Sequence, residues 1–457
     1  MAMADAGPFR HQDLHVFLNE YRTAWPDDVL TVDEPIVDDQ AVTALSFDLQ
    51  ARGRTPVLVC TKVGSLGLPV VTNVFASRTR VARILGTDLP RLHESFFEAS
   101  RRRLPPRTVD TGPVLDEVSH EVDLLALPMI RHFQQDRAPY WTSAIVLAPD
   151  PASGTVNASY HRCMVSTPTT LATSLHSRGH LWRYLARAAE LGRRLPVAVV
   201  LGGHPLFMLA SAARTGIEVD EREIAGGLFG APLEVVPTPR HGIGVPASSD
   251  FVLEGEIDPE SRAEEGPFGE YSGYASARST NNVIEVQTIL RRRDPVLLDI
   301  VSGHSPDHLN LGRIPRESEL LMRLRERFPE IVGIHYPSWG THFHCFVSMR
   351  PRVPGQPRQA LLALLGMDPY VKLAVAVDDD VDVRSEQEVM WAVATRFQAD
   401  RDLFVISGVP GSLLDPSSDQ GLTSRMAIDA TRKAGFDAEP VSLSLDAVRE
   451  AREILGG

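Results

Sequence analysis

The run Val371-Lys-Leu-Ala-Val-Ala-Val377, followed by a helical pattern at 386–397 and a short apolar strand at 403–407, decides the class of the last third of the chain. A strand that is apolar on both faces needs cover on both faces, which predicts a parallel sheet between helices. A further helix is expected at 317–328. Working outward toward the N-terminus, residues 114–302 are dominated by strands, at 196–201, 233–236, 251–257, 283–290 and 296–301. The last two flank Arg291-Arg-Arg-Asp-Pro295 and read as a hairpin. Helices interrupt this stretch at 180–191 and from Glu221. The first hundred residues alternate a helix at 13–21, a strand at 56–60 and a helix at 78–85. The run Arg101-Arg-Arg-Leu-Pro-Pro-Arg107 breaks both periodicities and reads as a solvated linker. The expected fold class is α/β multidomain: an α/β domain over 1–112, a mostly antiparallel β domain over 113–305 and an α/β domain over 306–457.

A chain of 457 residues exceeds what one hydrophobic core serves, in keeping with three domains. Its net charge of -13 argues against nucleic acid, whose phosphates are held by clustered Lys and Arg. A small ligand is the better partner, and an anionic one needs a local Arg cluster, a helix N-terminus or a metal. The three cysteines, Cys60, Cys163 and Cys345, form no CxxC pair, which fits a cytoplasmic protein without disulfides or a zinc knuckle. No secretory signal and no apolar run of about 20 residues is present, so a membrane location is not expected.

Three constellations carry chemistry. In Glu264-Glu-Gly-Pro-Phe-Gly-Glu-Tyr-Ser-Gly-Tyr274, two glycines and a proline force a turn that can bring Glu265 and Glu270 together. Two carboxylates held close can keep one protonated as an acid, although a solvated acidic turn accounts equally well for the pattern. In Asn157-Ala-Ser-Tyr-His-Arg162, strand geometry puts Asn157 and Arg162 on opposite faces unless a bulge intervenes. Arg162 would be a natural counter-ion for Glu265 or Glu270, but pattern alone favours a surface arginine. The third set is scattered: His180 and Glu221 at helix starts, and Ser211. With Asn157 these supply oxygen, nitrogen and carboxylate donors suited to Mg2+ or Mn2+ beside a phosphate, whereas a lone helix-start histidine is more often a cap.

Taken together the chain resembles the UbiD family from its first α/β unit to about Lys433. The resemblance rests on the Asn157–Arg162 segment, Val245-Pro-Ala-Ser-Ser-Asp-Phe-Val-Leu-Glu-Gly255, Glu265-Gly-Pro-Phe-Gly-Glu270, Asp378-Asp-Asp-Val-Asp-Val383 and Trp391-Ala-Val-Ala-Thr-Arg396. It implies a split β-barrel as the central domain, a dimerising C-terminal domain, and homodimers that can assemble into hexamers. It implies reversible decarboxylation of an aromatic, heteroaromatic or other α,β-unsaturated acid, with prenylated FMN as the electron sink and a flavin prenyltransferase as its supplier. The cofactor's phosphate would be held by Mn2+ or Mg2+ with K+. Carried over by position, the metal ligands are Asn157, His180 and Glu221, the catalytic residues are Arg162, Glu265 and Glu270, and Glu270 is the proton donor. Cofactor contacts fall on Arg162, Ser211 and Arg425, but Ala212, Ala213 and Arg214 depart from the family's pattern after the serine. Substrate contacts are expected from Ser302-Gly-His-Ser-Pro-Asp-His-Leu-Asn-Leu-Gly312, through His304, His308 and Asn310, which favours a ring acid with a heteroatom or second polar substituent over a cinnamic-type acid. Loop caps facing solvent account equally well for those histidines. A flavin-carrying scaffold without turnover is the competing class, and the intact Arg162, Glu265 and Glu270 speak against it.

Overall fold

In the computed structural model, residues 8–175, 179–277 and 279–455 are described; residues 1–7, read above for a targeting signal, lie outside them. The predicted apolar strand is Leu373–Asp378, with Ala374, Val375, Ala376 and Val377 buried. It pairs in parallel with His344–Met349 and with Leu422–Asp429. The outer strands Ile331–His335 and Leu403–Pro410 are antiparallel, so the expected parallel sheet is the centre of a mixed five-stranded one. Helix Gln356–Met367 covers one face, while Val389 and Ala392 of helix Glu386–Arg396 pack with Phe346, Val375 and Val377 on the other.

The middle of the chain forms a nine-stranded antiparallel sheet that runs from Tyr140–Trp141 through Cys163–Thr167, Thr170–Thr173, Ser279–Arg291, Phe251–Glu265, Leu195–Leu201 and Ala144–Pro149 to Val156–Tyr160. Glu117–Ser119 adds to Ser279–Arg291. Val156–Tyr160 and Cys163–Thr167 lie near opposite ends of this path, yet only His161 and Arg162 link them. Three Cα steps span at most about 11 Å. The sheet therefore curls until its ends lie close, although no ladder closes it among the described residues. The break in the strand at His161 and Arg162 frees Arg162 from the alternation that would have opposed it to Asn157.

Two expectations are corrected. Residues 283–290 and 296–301 form no hairpin: Ser279–Arg291 pairs inside the central sheet, whereas Leu297–Leu298 pairs in parallel with Leu68–Thr72 of the N-terminal sheet. The basic link between them is tied down instead of turning back, with Arg291 on Glu117 at 2.5 Å and Arg292 on Asp13 at 2.7 Å. The helix expected at 317–328 is Pro306–Arg327, and Pro315 lies inside it. Ser305 caps it and Pro306 supplies the preset first-turn φ. Buried Asp307 then accepts amide hydrogen bonds from Asn73, Phe75 and Val301 at 2.8–3.2 Å, pinning the helix start to the N-terminal sheet.

Glu317 of that helix is a second pin. Fully buried, it takes a two-pronged Arg78 contact (2.5 and 2.9 Å) and the Tyr336 amide at 2.6 Å. Burial would raise its carboxyl, but Arg78 and His93 overcome that and hold it down to about 2. Because the folded value lies below the unfolded one, this stability is present above about pH 4.5 and is lost as pH falls toward 2. Glu317→Gln is expected to cost about 3 kcal/mol at pH 7. Denaturant unfolding at pH 7 and pH 3 checks this, with the gap between wild type and variant narrowing at the lower pH.

Candidate active site

The strand Phe251–Glu265 delivers Glu265 to the seam of the central sheet, and the turn after it carries Glu270 back. The turn is pinned from outside. Gly269 donates its amide to Asp136 at 2.8 Å, and a Cβ there would meet the Phe133 ring at 2.2 Å, so only glycine fits this approach. Glu265 is 0 % exposed and its oxygens are fully engaged: Oε1 accepts from Arg162 Nε (2.8 Å) and the Tyr140 hydroxyl (3.0 Å), Oε2 from Arg162 Nη2 (2.8 Å) and Asn281 Nδ2 (2.8 Å). The remaining arm of the guanidinium, Nη1, donates to Glu270 Oε1. Phe268 lies under the guanidinium at 4.8 Å. Instead of two carboxylates facing each other, the structure places a cation between them. Glu265 is a fixed anion that aims Arg162, and Arg162 in turn holds Glu270.

Arg162, Phe268 and Glu270 form part of the wall of a cavity of about 580 Å³ that extends to the C-terminal domain through Tyr271, His308 and His342. Burial lowers the His308 imidazole to about 4, so it is neutral at physiological pH. Its Nδ1 sits 3.2 Å from the Gly303 carbonyl. The other two residues expected at the substrate, His304 and Asn310, are not among the residues that line this cavity. His304 turns away to the Trp339 carbonyl at 2.9 Å, and Asn310 donates to the Phe75 carbonyl at 2.9 Å, on faces of the structure that do not line the cavity. The residues missed in the sequence, Ser302, Arg316 and His342, do line it.

Asn157 and Glu221 are brought together. Asn157 Nδ2 lies 3.2 Å from both Glu221 oxygens, the Ala158 amide donates to Oε2 at 2.8 Å and the Thr215 hydroxyl to Oε1 at 3.1 Å. Glu221 is 3 % exposed and has no salt-bridge partner among the described residues. Burial raises its carboxyl to about 7. A buried carboxylate without a counter-cation is a fitting metal ligand, and an amide flip of Asn157 would aim its oxygen at the same space. His180 opens helix His180–Glu190, which packs beside Val156–Tyr160. Tyr184, one turn on and on the same helix face, feels the Glu221 charge. No hydrogen bond joins His180 to Asn157 or Glu221. No group of three His, Cys, Asp or Glu residues placed to hold a metal occurs among the described residues, so this set depends on the asparagine.

Arg425 is spent on carbonyls of Leu365, Asp368, Pro369 and Pro410, clamping the end of helix Gln356–Met367, and is absent from the cavity wall. Its cation meets the carbonyl end of a helix, a favourable match in itself. Ser211 is buried with its hydroxyl on the Phe207 carbonyl at 3.0 Å, and the next residue, Ala212, reaches the cavity.

Sequence profiles of 3-octaprenyl-4-hydroxybenzoate carboxy-lyase match this chain in three consecutive parts: the N-terminal domain at 26–100, the Rift-related domain at 107–305 and the C-terminal domain at 309–437. The chain belongs to the UbiD family. The UbiD-family chain is 33 % identical to the anhydromevalonate phosphate decarboxylase of Methanosarcina mazei, over 80 % of this chain and 85 % of that protein. Among solved structures it superimposes on the UbiD-class enzyme HmfF from Pelotomaculum thermopropionicum in complex with FMN, with a TM-score of 0.90, 35 % identity, and 95 % and 99 % of the two chains covered. An evolved dimeric form of HmfF in complex with prFMN gives a TM-score of 0.88 at 32 % identity, with 97 % and 100 % covered. The protein is thus a UbiD-type decarboxylase, a carboxy-lyase. No helix among the described residues is long and apolar enough to cross a membrane.

Proposed function

We propose that this enzyme decarboxylates an α,β-unsaturated or ring carboxylic acid, reversibly, with prenylated FMN in the cavity beside Arg162 and Glu270. The observation that carries the reading is the Arg162 guanidinium clamped between Glu265 and Glu270 at the cavity wall. Loss of CO2 from an sp2 carbon leaves charge that the ring cannot delocalise, and prenylated FMN, when bound, supplies the covalent electron sink. Asn157, His180 and Glu221 would hold Mn2+ or Mg2+ against the cofactor phosphate, with K+ nearby. The FMN and prFMN complexes of HmfF support the flavin part of this reading.

The chain's own residues handle charge and proton. Arg162, fixed through Nε and Nη2 by Glu265, points its third arm at Glu270 and can meet the incoming carboxylate. Glu270, protonated, returns a proton to the carbon that loses CO2, while Glu265 stays out of reach under Tyr140 and Asn281. Phe268 and Tyr271 line the cavity on either side of Glu270, where their rings would limit the access of water to this step.

The reading includes a split barrel for the curled central sheet, a flavin prenyltransferase as supplier and a homodimer. Helix Leu445–Leu455 supports the last point: none of its residues is buried and it exposes Ile454 and Leu455. Ring acids remain the favoured substrates, although the Methanosarcina mazei relative, named for anhydromevalonate phosphate, widens the field to non-aromatic unsaturated acids. The test is a panel of furan, pyrrole, hydroxybenzoate, cinnamate and prenyl-type acids incubated in D2O with the flavin-loaded enzyme. The expected product carries one deuterium at the carbon that held the carboxylate; no CO2 from any member would refute the proposal.

A further inference from the structure

A second cavity, of about 480 Å³, opens between the N-terminal and C-terminal domains and shares no lining residue with the one beside Arg162. Helix Leu92–Arg101 gives it His93 and Glu94, while strand Ile331–His335, the turn at 379–384 and the start of helix Glu386–Arg396 form the opposite wall. His335 lines it and is 2 % exposed. Its Nδ1 lies 3.6 Å from Glu317 Oε1. Arg78 holds Glu317 as an anion, so the single proton of a neutral His335 ring sits on Nδ1, facing that charge. Burial lowers the imidazole to about 3, which leaves Nε2 a bare lone pair at physiological pH, and Nε2 has no hydrogen-bond partner. Buried polar atoms are nearly always paired, and a lone pair is completed by a donor.

Charge points the same way. Five carboxylates line the cavity, those of Glu94, Asp379, Asp380, Asp382 and Glu388, against two guanidiniums. Both guanidiniums are spent, Arg78 on Glu317 at 2.5 Å and Arg384 on Asp382 at 3.0 Å. Three of the carboxylates keep one oxygen that accepts no hydrogen bond from the described residues. The other oxygen of Glu94 takes Arg325 at 2.6 Å, that of Asp379 takes Arg350 at 2.5 Å, and that of Glu388 takes the Asp382 amide at 3.0 Å. Glu94 stands on the N-terminal domain, Asp379 and Glu388 on the C-terminal one. The rest of the wall is aliphatic, from Leu89, Leu321, Val332, Ile334, Val381 and Val383. A metal ion is a poor match: no three His, Cys, Asp or Glu residues converge to hold one among the described residues, and hydrocarbon offers it no ligand. Ammonium groups joined by a hydrocarbon chain match both kinds of wall.

We propose that this interdomain cavity binds an aliphatic diamine or polyamine, with one ammonium on Glu94, another on Asp379 or Glu388, and His335 Nε2 accepting from an N–H of the same ligand. The site is separate from the decarboxylase reading, because its ligand is a cation and its walls repel an anionic substrate. The test is calorimetric titration of the flavin-loaded enzyme with putrescine, spermidine and butylamine, with unfolding midpoints measured alongside. Putrescine or spermidine is expected to bind at a single site per chain, at least about 10-fold tighter than butylamine, and to raise the unfolding midpoint. Glu94→Gln and Glu388→Gln lie outside the wall of the Arg162 cavity. Each should weaken polyamine binding by about 10-fold or more while CO2 release without amine stays at the wild-type rate. No binding of either polyamine, equal affinity for butylamine and putrescine, or a Kd unchanged by both substitutions overturns the proposal.

Discussion

Glu270→Gln is expected to lower the rate of CO2 release by at least about 100-fold while unfolding midpoint and flavin content stay near wild type. The amide keeps an oxygen for Arg162 Nη1, and Arg162 itself is held by two contacts to Glu265, so the geometry of the wall survives. Only the transferable proton is lost. Arg162→Ala should be as damaging to turnover, but for a second reason as well. It leaves Glu265, which is 0 % exposed, without its counter-charge, and breaking a buried pair on one side costs about 3–5 kcal/mol. The two variants are therefore separable by pairing a single-turnover assay with a denaturation curve. A Glu270→Gln enzyme retaining more than about a tenth of wild-type activity would remove Glu270 from the role of acid.

The second large effect is expected at the proposed metal site. Glu221→Ala and His180→Ala should each lower metal content at least about 10-fold, and flavin content with it, because the metal would join protein to cofactor phosphate. Unfolding is not the route to that loss. Without metal, Glu221 is a buried carboxylate lacking a cation, and Glu221→Gln should leave the metal-free protein as stable as wild type or more so. Metal analysis and flavin absorbance on the same purified samples check the coupling. A variant without metal that holds its full complement of prenylated flavin would place the site elsewhere.

Elements whose pattern is local were legible in the sequence. Asp13 caps its helix, Arg78–Leu85 forms as read, and the apolar run at 371–377 is the central strand of its sheet. What was not legible depends on distant partners. Nothing near 283–301 says that one strand pairs with Phe251–Glu265 and the next with Leu68–Thr72, because Arg291 and Arg292 find their carboxylates far back in the chain. The start of helix Pro306–Arg327 did carry a signal, Ser305-Pro306-Asp307, overshadowed by Pro315 inside the helix. Recognising it would have put His308 and Arg316 on one face of that helix, the face that lines the cavity. The convergence of Arg162, Glu265 and Glu270 was expected, but not its order, since the guanidinium between the carboxylates appears only once the sheet curls.

The most direct test of the account is expression of this chain with and without a flavin prenyltransferase, followed by mass analysis of the bound flavin and assay of CO2 release on the acid panel. The account predicts that only the co-expressed protein carries a flavin heavier than FMN by a five-carbon unit, and that only this form turns over. Equal CO2 release from protein holding plain FMN, or from protein holding no flavin, would contradict it.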